Sequence, residues 1–63
     1  MKHSVEISFE TFRALCPVDV KCSKSENLEN HHVAMYKSNG TTLFAVNSFT
    51  AGVTQYYIED INA

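Results

Sequence analysis

Apolar and polar residues alternate with the period of a β-strand through the second half of the chain, from His31 onward. Two turn signals interrupt this alternation, Asn39-Gly40 and Thr50-Ala51-Gly52. An Asn-Gly pair supplies the two positive-φ residues of a type I′ hairpin, and a three-residue loop commonly places glycine in the left-handed region. The pattern therefore predicts an antiparallel meander of three strands.

The lengths of the two turns set the register of these strands. A two-residue first loop pairs Tyr36 with Leu43, and a three-residue second loop pairs Phe49 with Val53. Because side chains alternate across a strand, this register sorts the residues into two faces. The predicted core face carries Val33, Met35, Phe44, Val46, Tyr56 and Ile58. The predicted outward face is also apolar, which is unusual for the solvent side of an antiparallel sheet, and carries Ala34, Tyr36, Leu43, Ala45, Phe49, Val53 and Tyr57.

The period changes to that of a helix near the N-terminus. Phe9, Phe12 and Leu15 fall at helical spacing, and Ser8 precedes them as a favourable N-cap. Pro17 closes the segment, because proline cannot continue a helix. The spacing predicts a two-turn helix whose apolar stripe packs against the core.

Two other segments are less sharply patterned. Residues 3–7 alternate as a short strand that extends the meander in one version of the fold. Residues 17–30 are polar and predict a loop without regular structure. A rival interpretation makes Ser25 an N-cap and residues 26–37 a helix, although Val33 would then lie on the wrong side of the apolar stripe. The sequence alone leaves residues 25–37 open between strand and helix.

A chain of 63 residues buries only a small core, since domains of this size bury about 60% of the surface that the unfolded chain exposes. No linker, repeat or low-complexity segment divides it. We predict a single α+β domain over residues 1–63. Its architecture is two-layered, with the N-terminal helix packed on a three- to four-stranded antiparallel sheet.

The charge balance argues against a surface that follows phosphates. Five Lys and Arg residues stand against seven Asp and Glu residues, for a formal net charge of −2, and neither sign forms a long run. No stretch approaches the roughly 20 apolar residues of a membrane span, so we expect a cytoplasmic protein without membrane contact. In that compartment Cys16 and Cys22 are expected to be reduced, with Cys16 packed in the core as a small apolar residue.

No motif indicates catalysis, a cofactor or a metal. The spacing of Cys16 and Cys22, followed by the adjacent His31 and His32, matches no common zinc pattern. Neither cysteine has the local signature of an activated nucleophile. We therefore expect no enzymatic activity, no catalytic residues, no cofactor and no metal site.

The apolar outward face is the strongest functional indication. Contiguous exposed apolar patches mark association sites, and aromatic residues concentrate at the centres of interfaces. We expect a small non-enzymatic protein-binding module that inhibits or neutralises a larger partner protein, of the kind that phages and plasmids encode to modulate a host. The expected partner-binding residues are Tyr36, Leu43, Phe49 and Tyr57.

Three alternatives stay open for this face. Outward aromatic residues on a sheet are the arrangement on which single-stranded nucleic acids stack, but Lys37 alone is cationic in the predicted strands. A homodimeric structural subunit would cover the same face and relieve the small core. In the third alternative, the chain's own N-terminal segment or its 17–30 loop covers the face, which would make the face ordinary core.

Overall fold

The structure is a computed structural model that describes residues 3–60, with side chains from Ser4 to Glu59. The elements along the chain are β1 (His3–Ile7), α1 (Phe9–Leu15), β2 (Lys24–Asn27), β3 (His31–Ser38), β4 (Thr41–Ser48) and β5 (Val53–Asp60). All five strands form one antiparallel sheet in the order β1-β5-β4-β3-β2. The predicted mixture of helix and sheet is confirmed, and so are β1 and the meander of β3, β4 and β5.

Two parts of the predicted architecture are wrong. The sheet has five strands, because the chain forms β2 where a loop was expected. The two-layer description also fails, since a helix of seven residues is only about 10 Å long and a five-stranded sheet is about 19 Å wide. The helix therefore shields part of one face, and nothing within residues 3–60 forms a layer on the other face.

The helix α1 forms where its spacing predicted. The Ser8 hydroxyl oxygen accepts a hydrogen bond from the Thr11 amide at 3.1 Å, which caps the first turn. At the other end the Cys16 amide donates to the Phe12 carbonyl at 2.8 Å. Phe12 is the one helical residue that is buried, so α1 is anchored to the sheet mainly by a single aromatic side chain.

The core lies between α1 and the sheet. Phe12, Cys16 and Leu43 are its buried members, with exposed fractions of 3%, 1% and 0%. The partly buried residues packed against them are Ile7, Val20, Tyr36, Tyr56 and Ile58. The Phe12 ring lies 4.6 Å from the Tyr56 ring and 5.7 Å from the Tyr36 ring, between centroids. The expected burial of Cys16 is confirmed, and the core is small.

The β3–β4 hairpin has the predicted register. Tyr36 is opposite Leu43, and the turn residues Asn39 and Gly40 have φ angles of +52° and +78°. Both φ values lie in the region that a type I′ turn requires. Because His31–Ser38 is a strand, the rival helix over residues 26–37 is wrong.

The β4–β5 register differs from the prediction by one residue. The loop contains four residues, 49–52, and Ser48 is opposite Val53. The Ser48 carbonyl accepts from the Gly52 amide at 2.9 Å, and the Ser48 hydroxyl accepts from the Ala51 amide at 3.2 Å. These bonds close a longer turn that keeps Gly52 at a positive φ of +69°. A shift of one residue turns every side chain of β5 to the other face.

The predicted assignment of faces is also wrong. α1 packs on the face that carries Tyr36 and Leu43, which were expected to point outward. Tyr56 and Ile58 join them there, because β5 is shifted by one residue. The expected core residues of β3 and β4 face away from the helix: Val33, Met35, Phe44 and Val46.

The strand β2 was missed because it carries no apolar alternation. Its sequence is Lys-Ser-Glu-Asn, and all four residues are exposed. It pairs along β3 at the edge of the sheet, and the Leu28 amide donates to the His31 carbonyl at 2.8 Å to close the connecting turn. Charged residues on an edge strand are the usual protection against pairing with another chain.

We expect Gly40→Val to destabilise the protein by about 1–2 kcal/mol, because a β-branched residue is strained at positive φ. A Cβ atom at this position would meet nothing within 4 Å, so the cost comes from the backbone alone. Gly40→Asn is the matched control, since asparagine tolerates the left-handed region. Chemical denaturation measures both, and equal stability of the two variants would contradict the type I′ turn.

Candidate functional site

The candidate site is the face of the sheet opposite α1, which we call the open face. Its centre is apolar and consists of Val33, Met35, Phe44, Val46 and Tyr57. Direct cross-strand pairs hold these residues together: Val33 is opposite Val46, and Phe44 lies between Met35 and Tyr57. Each is only partly buried, so the centre is a contiguous apolar surface.

No described element lies over the open face. β1 and β2 extend the sheet at its two edges, and Val20 of the loop after α1 packs against the core on the helix side. An open groove of about 370 Å³ crosses the face. The groove is lined by Ser4, His31, Val33, Phe44, Val46, Gln55 and Tyr57. Within residues 3–60, the chain's own N-terminal segment and loop therefore do not cover the apolar centre.

The side of the sheet that carries α1 has a different surface composition. Where α1 does not reach, polar side chains pair across the strands instead. His32 Nδ1 lies 2.7 Å from Asn27 Oδ1, and Asn47 Nδ2 donates to Thr54 Oγ1 at 2.9 Å. That side is therefore apolar beneath the helix and polar beyond it. The centre of the open face, in contrast, is apolar and no described element covers it.

Four charged residues of the open face are arranged with opposite charges on opposite sides of β4. One row crosses all five strands, which we call the central row, and consists of Glu6, Tyr57, Phe44, Met35 and Lys24. Its two ends therefore carry opposite charges. In the next row, Glu59 on β5 and Lys37 on β3 lie on either side of Thr42.

The structure separates the four expected partner-binding residues. Tyr57 lies at the centre of the open face, and Phe49 is 55% exposed in the β4–β5 turn at one end of the sheet. Tyr36 and Leu43 pack beneath α1, and Leu43 has no exposed surface. The four residues therefore do not form one surface.

Four residues of the open face were taken for core: Val33, Met35, Phe44 and Val46. The strand β1 supports the predicted face of β5, since Val5 and Ile7 alternate with Ser4 and Glu6. Pairing of β1 with β5 puts Val5 and Ile7 opposite Ile58 and Tyr56, which assigns that face to the core. The four residues were misassigned because the predicted β4–β5 register, wrong by one residue, put them on the same face as Tyr56 and Ile58.

The polar groups on the groove do not form a catalytic arrangement. Ser4 and His31 lie on β1 and β3, which are three strand spacings or about 14 Å apart, so the two side chains are far beyond a hydrogen bond. Cys16 is buried, and the exposed Cys22 thiol donates to the Lys24 carbonyl at 3.0 Å. Among residues 3–60, no three His, Cys, Asp or Glu side chains are grouped to hold a metal ion.

Length and polarity rule out a helical membrane span in the part of the chain that the structure describes. Comparison with known proteins finds no matching family model, no similar curated protein and no solved structure that matches. The open face is therefore interpreted from its own geometry.

Proposed function

We propose that this chain is a small non-enzymatic protein-binding module, located in the cytoplasm, that inhibits or neutralises a larger partner protein by occupying part of that partner's surface. Small proteins that phages and plasmids use to modulate a host have this profile. The observation that supports the proposal is the apolar centre of the open face, which no described element covers. The contact residues we propose are Val33, Met35, Phe44, Val46 and Tyr57, with Phe49 at the end of the sheet.

The composition of the open face is that of a protein interface. Aromatic residues and methionine are enriched at interface cores, and polar residues form the rim. Here Phe44, Tyr57 and Met35 are at the centre, while lysine and glutamate side chains lie at the margins. Aromatic side chains in such a centre are the residues that most often dominate binding energy.

Single-stranded nucleic acid fits the same face less well. Stacking on aromatic side chains works together with a cationic groove that follows the phosphates. On the open face, Glu6, Glu26 and Glu59 are interspersed with Lys24 and Lys37, so the field is mixed. Phosphates would meet carboxylates as well as lysines, which favours a protein partner.

We expect Phe44→Lys to reduce partner binding by about 30-fold or more, because it places a charge at the centre of the contact. Affinity capture from the native cell lysate, followed by titration of the recovered protein, measures the effect. Val18→Lys is the matched control, since Val18 is 82% exposed and lies in the loop after α1. It makes the same change in side-chain chemistry without altering the open face.

Two results would contradict this proposal. One is a partner that binds Phe44→Lys as tightly as the unmodified chain. The other is recovery of nucleic acid with an affinity that falls steeply as salt is added, which is the behaviour of a phosphate-binding surface. Nuclease treatment of the lysate before capture separates a protein partner from one that is held through nucleic acid.

A further inference from the structure

The open face is complementary to itself, and we propose that in the isolated protein a second copy of this chain covers it, in a symmetric dimer whose two-fold axis runs along β4. This inference rests on the proposed function, since both assign the open face to protein contact. It adds the identity of the occupant and the geometry of the contact. The order of residues in the rows that cross the sheet supports it.

The residues of the central row are complementary to the same residues read in the opposite order. A half-turn about an axis along β4 lays the row on the same row of the second copy, with its order reversed. Phe44 then meets Phe44 of the second copy, and Tyr57 meets Met35. At the two margins Glu6 meets Lys24 of the second copy, so the same opposite-charge contact forms twice. Apolar groups lie against apolar groups, and each terminal charge lies against its opposite.

The row that contains Thr42 follows the same rule. Glu59 on β5 and Lys37 on β3 are equally far from β4, so the half-turn brings Glu59 against Lys37 of the second copy. On the other side of the central row, Val46 on β4 meets its own counterpart, while Gln55 on β5 meets Val33 of the second copy, a polar side chain against an apolar one. Glu26 lies on β2 level with Val33, and β1 ends at Ile7 before it reaches that level. Glu26 therefore meets no strand of the second copy.

The other axis within the sheet plane gives the opposite result. A half-turn about an axis along the central row, perpendicular to the strands, places Glu6 on Glu6 and Lys24 on Lys24. It also moves Val46 onto Thr42 and Val33 onto Lys37, which sets apolar side chains against polar ones. Like charges in contact cost free energy, and they do so at both margins. The order of residues therefore selects the axis along β4.

The distances are compatible with sheet packing. Two sheets stack about 10 Å apart with their strands rotated by about 30°. The edge strands lie two spacings from β4, so this rotation displaces them by about 5 Å relative to each other. Lysine and glutamate side chains at Lys24 and Glu6 are long enough to span such an offset, and both are exposed.

The size of the face predicts a weak dimer. Four strand spacings and four rows of residues make the face about 19 Å by 20 Å, or roughly 400 Å² for each copy. The total of roughly 800 Å² is below the range of about 1,200–2,000 Å² that stable complexes bury. We therefore expect dimers in concentrated solution and monomers after dilution.

Charge reversal tests the geometry directly. We expect Glu6→Lys and Lys24→Glu, each alone, to weaken the dimer by about tenfold, because each places like charges at both margins. An equimolar mixture of the two variants should recover the affinity of the unmodified protein as a heterodimer, since every lysine then meets a glutamate. The double variant Glu6→Lys/Lys24→Glu should also dimerise like the unmodified chain. Sedimentation across a dilution series measures all four.

Three outcomes would overturn the inference: an unmodified protein that stays monomeric at the highest concentration, single variants that dimerise normally, or a mixture that recovers nothing. Melting temperatures in dilute solution check that the exposed substitutions leave the monomer folded. If the chain is monomeric while Phe44→Lys still abolishes partner capture, the proposed function holds and the dimer does not. If the dimer depends on charge as expected while Phe44→Lys leaves partner capture unaffected, the dimer holds and the proposed function does not.

Discussion

Leu43→Ala is expected to unfold most of the protein at room temperature. Leu43 has no exposed surface and lies at the centre of the core beneath α1. Truncation of a buried leucine costs about 2–5 kcal/mol, because the cavity adds to the lost transfer free energy. A single core in a domain this small supplies only about 3–5 kcal/mol, so the loss is comparable to the whole stability. Urea denaturation followed by circular dichroism measures it.

Phe44→Ala is the control for this experiment, at the next position along β4. Phe44 points to the open face, where its cross-strand neighbours are Met35 and Tyr57. Such pairs contribute about 0.2–1 kcal/mol, so the variant should remain folded in dilute solution. If Phe44→Ala unfolded the chain while Leu43→Ala did not, the helix would have to cover the opposite face.

The β3–β4 hairpin was predictable because its turn chemistry allows one solution. Two adjacent positive-φ residues fit a two-residue loop, and this determines the pairing along both strands. The helix was predictable for a similar reason, since Ser8, the apolar spacing and Pro17 all agree on its limits. In both elements several local signals coincide, and each one alone would be weak.

The β4–β5 turn was not predictable to the residue because its glycine is compatible with two loop lengths. Gly52 has positive φ in the four-residue loop, as it would in a three-residue loop. The choice depends on Ser48, whose carbonyl and hydroxyl groups both accept backbone hydrogen bonds from the loop. A serine at a strand end is too common to indicate this by itself. The resulting shift of one residue exchanged Tyr56 and Tyr57 between the two faces.

The choice of face could not be read from the meander, because both sides of it are apolar. Ala34 and Ala45 are directly opposite each other on the helix side, and small residues there leave space for a helix. The larger side chains Met35 and Phe44 looked more like core, although they form the open face. Side-chain size favoured one side and room for the helix favoured the other. In the structure α1 packs on the side that carries Ala34 and Ala45.

The same ambiguity affected the candidate site. Tyr57 was predicted to point outward and does so, although the predicted register paired it with Ala45 and the observed one pairs it with Phe44. Leu43 was predicted to point outward and is buried. The charge order of the central row could not be seen from the sequence, because it depends on β2 and on the observed β4–β5 register.

Phe12→Ala is expected to detach α1 from the sheet and destabilise the protein by about 3–5 kcal/mol, the range for a buried phenylalanine. Phe12 is the only buried residue of the helix, and its ring packs against both Tyr36 and Tyr56. An isolated helix of seven residues is not stable in water, so loss of this contact should unfold α1 as well. Near-ultraviolet circular dichroism reports the tyrosine environment, and urea denaturation reports the stability.

Phe9→Ala is the matched control, one turn earlier on the same helix. Phe9 is 49% exposed, and its ring contacts Tyr56 at 5.4 Å between centroids, without contributing to the buried core. We expect it to cost about 1 kcal/mol, within the range of an aromatic pair at the surface. Equal losses from the two variants would mean that the helix is held by its whole apolar stripe. A loss confined to Phe12→Ala would show that this one side chain holds α1 on the sheet.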